Sequence, residues 1–590
     1  MLQTEEKQPR SIVEHEFPGF GNLLRKTLGL DAVSQLHGAL SISPADRSPF
    51  DAVARLLDLR ASVSAADLKR IPEKGPLVVV ANHPFGGAEG ILLASVLRRV
   101  RSDIKVLANS LLESIPELVS EMIFVDPFDP ASPRNVSGLR RALHHLQDGG
   151  TLVAFPAGTV SHLQPKRLGI VDPDWNPTIA RMARRAGAAV LPVFIPGRNG
   201  LAFQGAGLLH PAIRTAMLPR ELLKRRGSGI EFRIGRPVSA QTLRRCGSDG
   251  DATRLLRFRS YAMRHRSSPA AASKTKRPRL HSLCPAVDPD RLAAEVEALG
   301  PEASLASQGE LSALIADAAS IPCALTEIGR LREATFRAIG EGTGWSVDLD
   351  AFDATYQHLF LWNRATKEIA GAYRVRRVDA ATRPESVYTS TLFRFARGFF
   401  PAIGDGLELG RSFVRAEYQR SFAPLLLLWK GIGALIAIDP DCHTLFGPVS
   451  ISAEYSAASR ALMARWLIAT TREERLGRLA QPRHPFWLLP DFEATARILA
   501  DVDELSDLVA SLELDGKGVP VLLRQYLRLG GRIAALNVDP EFSSVVDGLV
   551  VVDLRRTDDR ALAKYLGAEG ASRFRAHHAN LRSAATEAAS

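Results

Sequence analysis

Apolar residues follow one another almost without a break in Pro76-Leu-Val-Val-Val-Ala81 and Thr151-Leu-Val-Ala-Phe155, and a third run fills Val190-Leu-Pro-Val-Phe-Ile195. Short runs of this kind predict strands buried on both faces of a sheet. Ile91 to Val100 and Leu139 to Leu146 instead carry apolar residues at helical spacing. The first half of the chain therefore reads as strand, glycine-rich turn and helix, the layout in which functional side chains stand at the carboxyl ends of buried strands.

The second half has a different rhythm. Leu311 to Ala319 and Leu325 to Ile339 read as amphipathic helices, the latter ended by the glycine cluster Gly340-Glu-Gly-Thr-Gly344. That cluster follows a helix and lacks the lysine of a phosphate loop, so it reads as a helix stop and turn. His358-Leu-Phe-Leu-Trp362 and Glu368 to Val375 are strand-like and are separated by the polar Asn363 to Lys367, as in a hairpin. A strand at Leu407 to Val414 and a helix at Ala423 to Ile438 complete an open mixed sheet flanked by helices.

With 590 residues the chain exceeds what one core usually supports. Residues 264–303, rich in Pro, Ala, Ser and basic side chains without apolar periodicity, read as a linker between domains at 1–263 and 304–590. No eighteen apolar residues run uninterrupted; Phe422 to Ile438 comes nearest and is broken by Lys430. Gly19 to Leu40 has helical amphipathicity that suits either a bilayer surface or a helix covering the domain. Met1 to Arg10 is polar, without the apolar core of a secretory signal, and predicts a cytosolic protein. The four cysteines are scattered, with no metal spacing and no disulfide framework, which suits a reducing compartment.

Charge is uneven. The net charge is +11, yet residues 1–290 hold 41 Lys+Arg against 26 Asp+Glu and the remainder 34 against 38. Residues 201–290 alone carry 18 basic and 6 acidic side chains. Such a field attracts anionic lipid headgroups or an acidic carrier protein. Nucleic acid is the weakest choice, because no recognition module accompanies the charge.

Two polar turns carry the candidate chemistry of the first half. Asn82-His83-Pro84-Phe85-Gly86-Gly87-Ala88-Glu89-Gly90 sets a histidine with a near-neutral pKa beside a carboxylate that fixes its tautomer. The blander reading is that Glu89 merely occupies the first turn of a helix, where an acid favours the dipole. The second turn is Phe155-Pro156-Ala157-Gly158-Thr159-Val160-Ser161. Together the two turns resemble the glycerophospholipid acyltransferase family, written NHxxxxD and FPEGTRS, with Ile123-Phe-Val-Asp126 standing for the block between them. The resemblance covers roughly residues 70 to 240 and implies an α/β domain. It departs at Ala88, which occupies the family's acid slot and leaves Glu89 one position later, and at Ala157 and Val160, where the family has Glu and Arg. An arginine in such a turn is a natural phosphate clamp, so Val160 argues for an acceptor without a phosphate.

In the second half Glu408-Leu-Gly-Arg-Ser-Phe-Val414 is the central motif. In a regular strand Glu408 and Arg411 face opposite sides, unless a bulge at the glycine re-aims them. With Asp348-Leu-Asp-Ala-Phe-Asp353, Leu425-Leu-Leu-Leu-Trp-Lys-Gly431, Leu445-Phe-Gly447, Leu522 to Gly530 and Asn537-Val-Asp-Pro540, it resembles the bacterial ornithine N-acyltransferases, a GNAT-like α/β group. The tandem of both halves resembles the bifunctional ornithine lipid synthases.

That resemblance implies an amide between a 3-hydroxyacyl chain and the ornithine α-amine, made by the C-terminal half, then an ester on the chain's hydroxyl, made by the N-terminal half. By the same resemblance Glu408 accepts a proton or positions the amino acid. Arg411 holds the carrier phosphopantetheine or the Glu408 carboxylate, or is simply its internal ion-pair partner. His358 is a further candidate that equally reads as a core histidine. In the first half His83 is the base and Glu89 its orienter. Backbone groups around Gly86, Gly87 and Gly158 stabilise the oxyanion. Asn82, Phe155, Thr159 and Ser161 complete the acceptor site, although turn hydroxyls are more often caps. Asp348, Asp350 and Asp353 read equally as helix caps.

The implied donor is the thioester of an acyl carrier protein, with no metal or other cofactor, and the implied location is cytosolic and peripheral to the inner membrane. Two other classes stay open: a monofunctional lysophospholipid acyltransferase with a partner-binding second half, and a membrane scaffold whose motifs have decayed. Within the lipid-synthase resemblance itself the amino acid is also open, glycine, serine, glutamine and lysine included.

Overall fold

The computed structural model describes residues 46 and 48–589, apart from 110–115, 127–131, 165–168, 201–202, 205–216, 267–279, 487–497 and 541–543. The amphipathic stretch at Gly19 to Leu40 lies outside the described residues. The chain forms two compact units, Met1–Ser267 with Ala510–Gly516, and Ser268–Val509 with Lys517–Ser590.

The first unit is built on strands β1 (Arg60–Val63), β2 (Leu77–Ala81), β3 (Ile104–Asn109), β4 (Met122–Val125), β5 (Thr151–Ala154), β8 (Ala189–Phe194) and β9 (Gly229–Ile234), with a small hairpin of β6 (His162–Gln164) and β7 (Gly169–Val171). The sheet order is β1-β9-β8-β2-β5-β3-β4. The five strands from β8 to β4 are parallel, whereas β9 runs antiparallel to β8. All five residues of β2 are buried, each worth roughly 1.5–3 kcal/mol if it is Val or Leu. Its central place between β5 and β8 explains why the sequence there is continuously apolar.

Helix α1 (Gly87–Leu97) leaves β2 through a turn whose last residue, Gly86, has φ +104°. A Cβ there would also come within 3.0 Å of the Leu218 side chain, so the position demands glycine twice over. Helices α2 (Pro133–Gln147) and α3 (Asp249–Ala262) flank the sheet. Because β2, β5 and β8 are adjacent and parallel, their carboxyl ends bring the His83 turn, the Phe155 turn and Ile195 side by side.

In the second unit the strands are β10 (Ser304–Gln308), β11 (Leu311–Asp317), β12 (Gln357–Asn363), β13 (Glu368–Val378), β15 (Gly406–Val414), β16 (Thr444–Ile451), β18 (Arg532–Asp539) and β19 (Val545–Asp553), besides the short pair β14 (Phe393–Phe395) and β17 (Ala480–Pro482). Their order is β10-β11-β12-β13-β15-β16-β19-β18, antiparallel except for β15 and β16. A parallel pair needs a crossover. Ala423–Ile438 supplies it as a helix that lies across β10 to β13.

Two expectations are corrected. Leu311 to Ala319 is not a helix, since Leu311–Asp317 is a strand paired on both sides, with β10 and β12. Three consecutive residues, Ser312, Ala313 and Leu314, are buried, so the strand lacks the alternation that would have marked it. The linker is also shorter than 264–303. Helix α4 (Pro289–Glu297) starts where the Asp288 carboxylate accepts from the amides of Asp290 and Arg291, with Pro289 at its first position. It packs on helix α5 (Pro322–Ala338) through Leu292. Ahead of it, His281 and Cys284 donate main-chain hydrogen bonds to Gly344 and Ser346. The glycine cluster does end α5, with Gly340 at φ +74°. The crossover helix, Ala423–Ile438, is named α6 below. Among the described residues no helix is long and apolar enough to cross a membrane.

Candidate active sites

At the end of β2 the His83 ring is half-buried and stacks on Phe155, with ring centroids 4.3 Å apart. Its Nδ1 lies 3.0 Å from Glu89 Oε1. The ring N–H does not point straight at that oxygen, so the contact is electrostatic more than a formed hydrogen bond. Glu89 is fully buried, and its Oε1 also accepts the main-chain amides of Phe85 and Gly86, both at 2.8 Å. The acid therefore reaches back over the longer turn by capping the helix start and touching the imidazole with the same oxygen. Oε2 has no hydrogen-bond partner among the described residues. Helix capping and histidine orientation, two readings of one residue, are both present in the geometry.

The main chain of His83 is pinned as well. Its N–H donates to Asp172 Oδ1 at 3.1 Å, and its carbonyl accepts the Ser161 amide at 2.7 Å. Asp172 Oδ1 also accepts the Ser161 hydroxyl, and Oδ2 accepts the Trp175 indole N–H at 2.9 Å. This fully buried carboxylate thus ties the two functional turns together. Sequence reasoning missed it, because it sits about ninety residues from His83 without a motif; an acid just after the short β6–β7 hairpin was the available signal.

Several expected acceptor residues have other work. Asn82 donates to the Ile195 carbonyl at 2.8 Å and accepts the Ile195 amide at 2.7 Å, so its amide stitches β2 to the chain after β8. Ser161 is buried and engaged with Asp172. Gly86, Gly87, Gly158 and Thr159 lie on the turns around His83; Gly158 is exposed, with φ +67°, and Thr159 half-buried. Val160, in the family's arginine slot, is buried.

In the second unit, β15 and β16 pair only from Gly406 to Glu408 and from Thr444 to Phe446, and then part. Gly447 lies at the start of the split, where a Cβ would fall 2.0 Å from the Leu409 carbonyl oxygen. Splayed strands leave main-chain groups facing one another without a ladder, a natural oxyanion site. Opposite β13 the ladder slips between Ala372 and Arg374, and Arg411 takes φ +48°, so the expected bulge exists, centred on Arg411 instead of Gly410. The bulge brings Arg411 over the Tyr388 ring at 5.1 Å, the same aromatic cluster that holds Glu408.

Glu408 is buried; Oε2 accepts the Tyr356 hydroxyl and Oε1 the Thr389 amide at 2.7 Å. Burial raises its pKa despite those donors and the Arg374 charge. A carboxylate raised in this way is a stronger base than an ordinary one. The Tyr356 hydroxyl in turn accepts the Tyr388 amide at 2.7 Å.

Arg411 is not the ion-pair partner of Glu408. It points to Asp348 and Asp350, at 3.8 and 3.9 Å. Nor are the aspartates helix caps. Arg332, fully buried, makes a two-pronged pair with Asp353 at 3.0 Å and reaches Asp348 at 3.1 Å, while Arg374, equally buried, contacts Asp350 at 2.6 Å. Burial alone would raise Asp353, but Arg332 and Arg374 outweigh it and hold its pKa at about 2. Arg374 also lies over the Tyr388 and Tyr356 rings at 4.8 and 5.1 Å. His358 is a core histidine: it is buried, its Nε2 is 2.9 Å from the Asp353 carbonyl, and burial lowers its pKa. Arg332, Arg374 and Tyr356 were missed by sequence reasoning. The usable signal was an arginine inside the apolar strand Glu368–Val378 and two aspartates three apart. Among the described residues no group of three or more His, Cys, Asp or Glu is placed to hold a metal.

Comparison with known proteins bears on both halves. A family described as "Acyltransferase" matches residues 5–269, and one described as "Acetyltransferase (GNAT) domain" matches residues 331–430. The glycine N(alpha)-acyltransferase of Bacteroides thetaiotaomicron is 33% identical over 263 residues, 40% of this chain and 77% of the relative. The lyso-glycine lipid O-acyltransferase of Phocaeicola vulgatus is 28% identical over 194 residues, 31% of this chain and 67% of the relative. The L-ornithine N(alpha)-acyltransferase of Rhizobium meliloti is 27% identical over 239 residues, 38% of this chain and 73% of the relative. The protein is an acyltransferase enzyme that combines a glycerolipid-type acyltransferase domain with a GNAT domain. It belongs to the acyltransferase family that includes the glycine N(alpha)-acyltransferase of Bacteroides thetaiotaomicron.

Proposed function

We propose that this chain is a bifunctional aminolipid synthase, acylating the α-amine of an amino acid in its GNAT domain and then the hydroxyl of the product in its N-terminal domain. The observation that carries the reading is the presence, in one chain, of two separate centres with a buried carboxylate: His83 with Glu89, and Glu408 beside splayed strands. Relatives named for the N-acyl step and for the O-acyl step both match it.

In the first reaction the amine nitrogen attacks the carbonyl carbon of a 3-hydroxyacyl thioester. Main-chain N–H groups in the split between β15 and β16 hold the developing oxyanion. Glu408 takes the proton from the amine, directly or through Tyr356, and returns it to the thiolate as the carbon–sulfur bond breaks. In the second, His83 takes the hydroxyl proton as that oxygen attacks another acyl thioester, and gives it to the departing thiolate. Glu89 balances the imidazolium. The donor is the phosphopantetheine thioester of an acyl carrier protein, which is acidic and suits the basic residues 201–290. The same field suits peripheral attachment to the inner membrane.

Ornithine is the acceptor that the sequence motifs favour. Glycine is the second reading, favoured by the higher identity to relatives named for it. Mass spectrometry of lipids from a host expressing the full chain separates the two. His83→Ala should accumulate the mono-acylated amide, and Glu408→Ala should remove both lipids. If purified protein with loaded carrier and either amino acid forms no fatty amide, the reading fails. Unaltered amide formation by Glu408→Ala would remove Glu408 from the proton transfer of the first reaction.

A further inference from the structure

An acceptor made by N-acylation of an amino acid keeps its carboxylate, and the turn position from which an arginine would clamp an anion holds a buried valine here, Val160. The anionic group therefore needs a cationic site elsewhere in the first unit. A cavity of about 300 Å³ offers one. One wall is Asn82 and Ser161, which flank His83 in space: Asn82 precedes it in the chain, and the Ser161 amide bonds its carbonyl. The opposite chemistry comes from Arg233, Tyr261 and Arg264, with Phe194 as apolar wall. Among the described residues lining the cavity none is acidic.

The two arginines differ in freedom. Arg233 is fixed: Nε meets Glu231 at 2.8 Å, and Nη1 donates to the carbonyls of Met263, Arg264 and Arg266. Arg264 is exposed and lies over the Tyr261 ring at 5.5 Å, and no carboxylate among the described residues pairs with it. Tyr261 itself is held in place, since its hydroxyl accepts the Asp172 amide at 2.8 Å and burial raises its pKa, keeping it neutral. It links the cavity to the same aspartate that pins His83. In the acceptor, the hydroxyl and the carboxylate are separated by about two residues' length of extended chain, roughly 7 Å. Asn82 and Ser161, which adjoin His83, are the cavity residues nearest to it in the chain and by main-chain hydrogen bond.

From this arrangement we infer that the cavity lined by Arg233, Tyr261 and Arg264 binds the free carboxylate of the lyso-aminolipid, with Arg264 as the residue that discriminates it. The inference rests on the two-step reading above. The test uses the full-length protein with an acyl-loaded carrier and three acceptors: N-(3-hydroxyacyl)glycine, its methyl ester, and a lysophosphatidate. Wild type should prefer the free acid over the methyl ester by roughly tenfold in KM, the size of one charge-assisted hydrogen bond. Arg264→Gln should compress that ratio towards one, and Arg264→Lys, which keeps the charge, should restore part of it. Arg264 is exposed, so circular dichroism should find both variants folded. An unchanged acid-to-ester ratio in Arg264→Gln overturns the carboxylate site while leaving the two-step reading intact. A lysophosphatidate preferred over both other acceptors also overturns it, in favour of a phosphate. If wild type esterifies neither the glycine acceptors nor N-(3-hydroxyacyl)ornithine, the two-step reading falls and the inference with it.

Discussion

Glu89, in the first turn of the helix that leaves β2, and Glu408, within a central strand of the second sheet, are both buried carboxylates, but they are satisfied in opposite ways. Glu89 is held by main-chain amides three and four residues before it, and one of its oxygens has no hydrogen-bond partner among the described residues. Glu408 uses both oxygens on residues far away in sequence, Tyr356 and Thr389, and lies near the cluster of Arg332, Arg374, Arg411 and three aspartates. The first centre is written locally: a turn of the right length positions acid and base whatever the distant chain does. The second is written globally, so its geometry depends on a buried charge network that must assemble before the carboxylate is placed. Perturbing the network should therefore damage stability and amide formation together, whereas perturbing the turn should damage ester formation with little cost to the fold.

The largest effect separates the centres by chemistry. Glu408→Gln should slow amide formation by roughly 10²–10⁴-fold, the range for a lost general base, with ester formation from supplied lyso-lipid retained. His83→Ala should give the mirror image. The pH profile sharpens this. Because burial raises the Glu408 pKa, amide formation should fall off on the acid side at a pH above the ordinary carboxylate range, and the residual rate of Glu408→Gln should lack that limb. Equal loss of both products in either variant would erase the distinction between centres.

Next comes the network itself. Arg332→Met leaves Asp348 and Asp353 buried without their main partner, and breaking a buried pair from one side costs about 3–5 kcal/mol. Denaturant unfolding should show that loss, and amide formation should fall with it. A milder form of the same test uses acid. Asp353 is held at about 2, below its unfolded value of about 3.9. A depressed carboxylate contributes stability above the unfolded pKa and loses it as pH falls through the folded one. About 2 kcal/mol should therefore disappear between pH ~4 and pH ~2, a slope that Asp353→Asn removes.

How much of this was legible in the sequence follows from the same contrast. The strands at Leu77 to Ala81 and Thr151 to Ala154 and the turns after them could be read because burial on both faces leaves a continuous apolar run ending in glycine or proline. The helix at Ala423–Ile438 was legible to its ends, bounded by Pro424 and by Asp439-Pro440. Leu311–Asp317 was not, because burial on both faces erased the two-residue period while leucines and alanines imitated a helix. In the site, His83 and Glu89 share one turn and could be paired by counting. Arg332, Arg374 and Tyr356 meet Asp353 and Glu408 only through tertiary packing of a helix, a strand and a turn, and Asp172 meets His83 across the sheet end. Spacing along the chain has no information about such encounters. His358 was misread for the complementary reason: a polar residue in apolar surroundings looks functional until the main-chain group that satisfies it is seen.

The turn should answer more gently, in two grades. Glu89→Gln keeps an oxygen that can accept the Phe85 and Gly86 amides, so the helix start should survive with less than about 1 kcal/mol lost, while the missing charge beside His83 lowers the ester-forming rate. Glu89→Ala orphans those two buried donors and should cost about 1–3 kcal/mol as well. If the two variants are equally slow in ester formation and equally unstable, capping is the only role of the residue.

Ser161→Ala is the smallest and most discriminating change. It deletes the hydroxyl that donates to Asp172 but leaves the Ser161 amide on the His83 carbonyl and the Asp172 carboxylate on the His83 amide. The lost hydrogen bond should cost about 1 kcal/mol in unfolding experiments. Ester formation should fall only a few-fold, because the main chain of the histidine stays pinned from both sides. Asp172→Asn, by contrast, keeps one acceptor oxygen for three donors, so either the indole, the hydroxyl or the His83 amide loses its partner. A larger loss of ester formation in Asp172→Asn than in Ser161→Ala, with amide formation untouched in both, would show that the aspartate holds the histidine turn and that the serine only holds the aspartate.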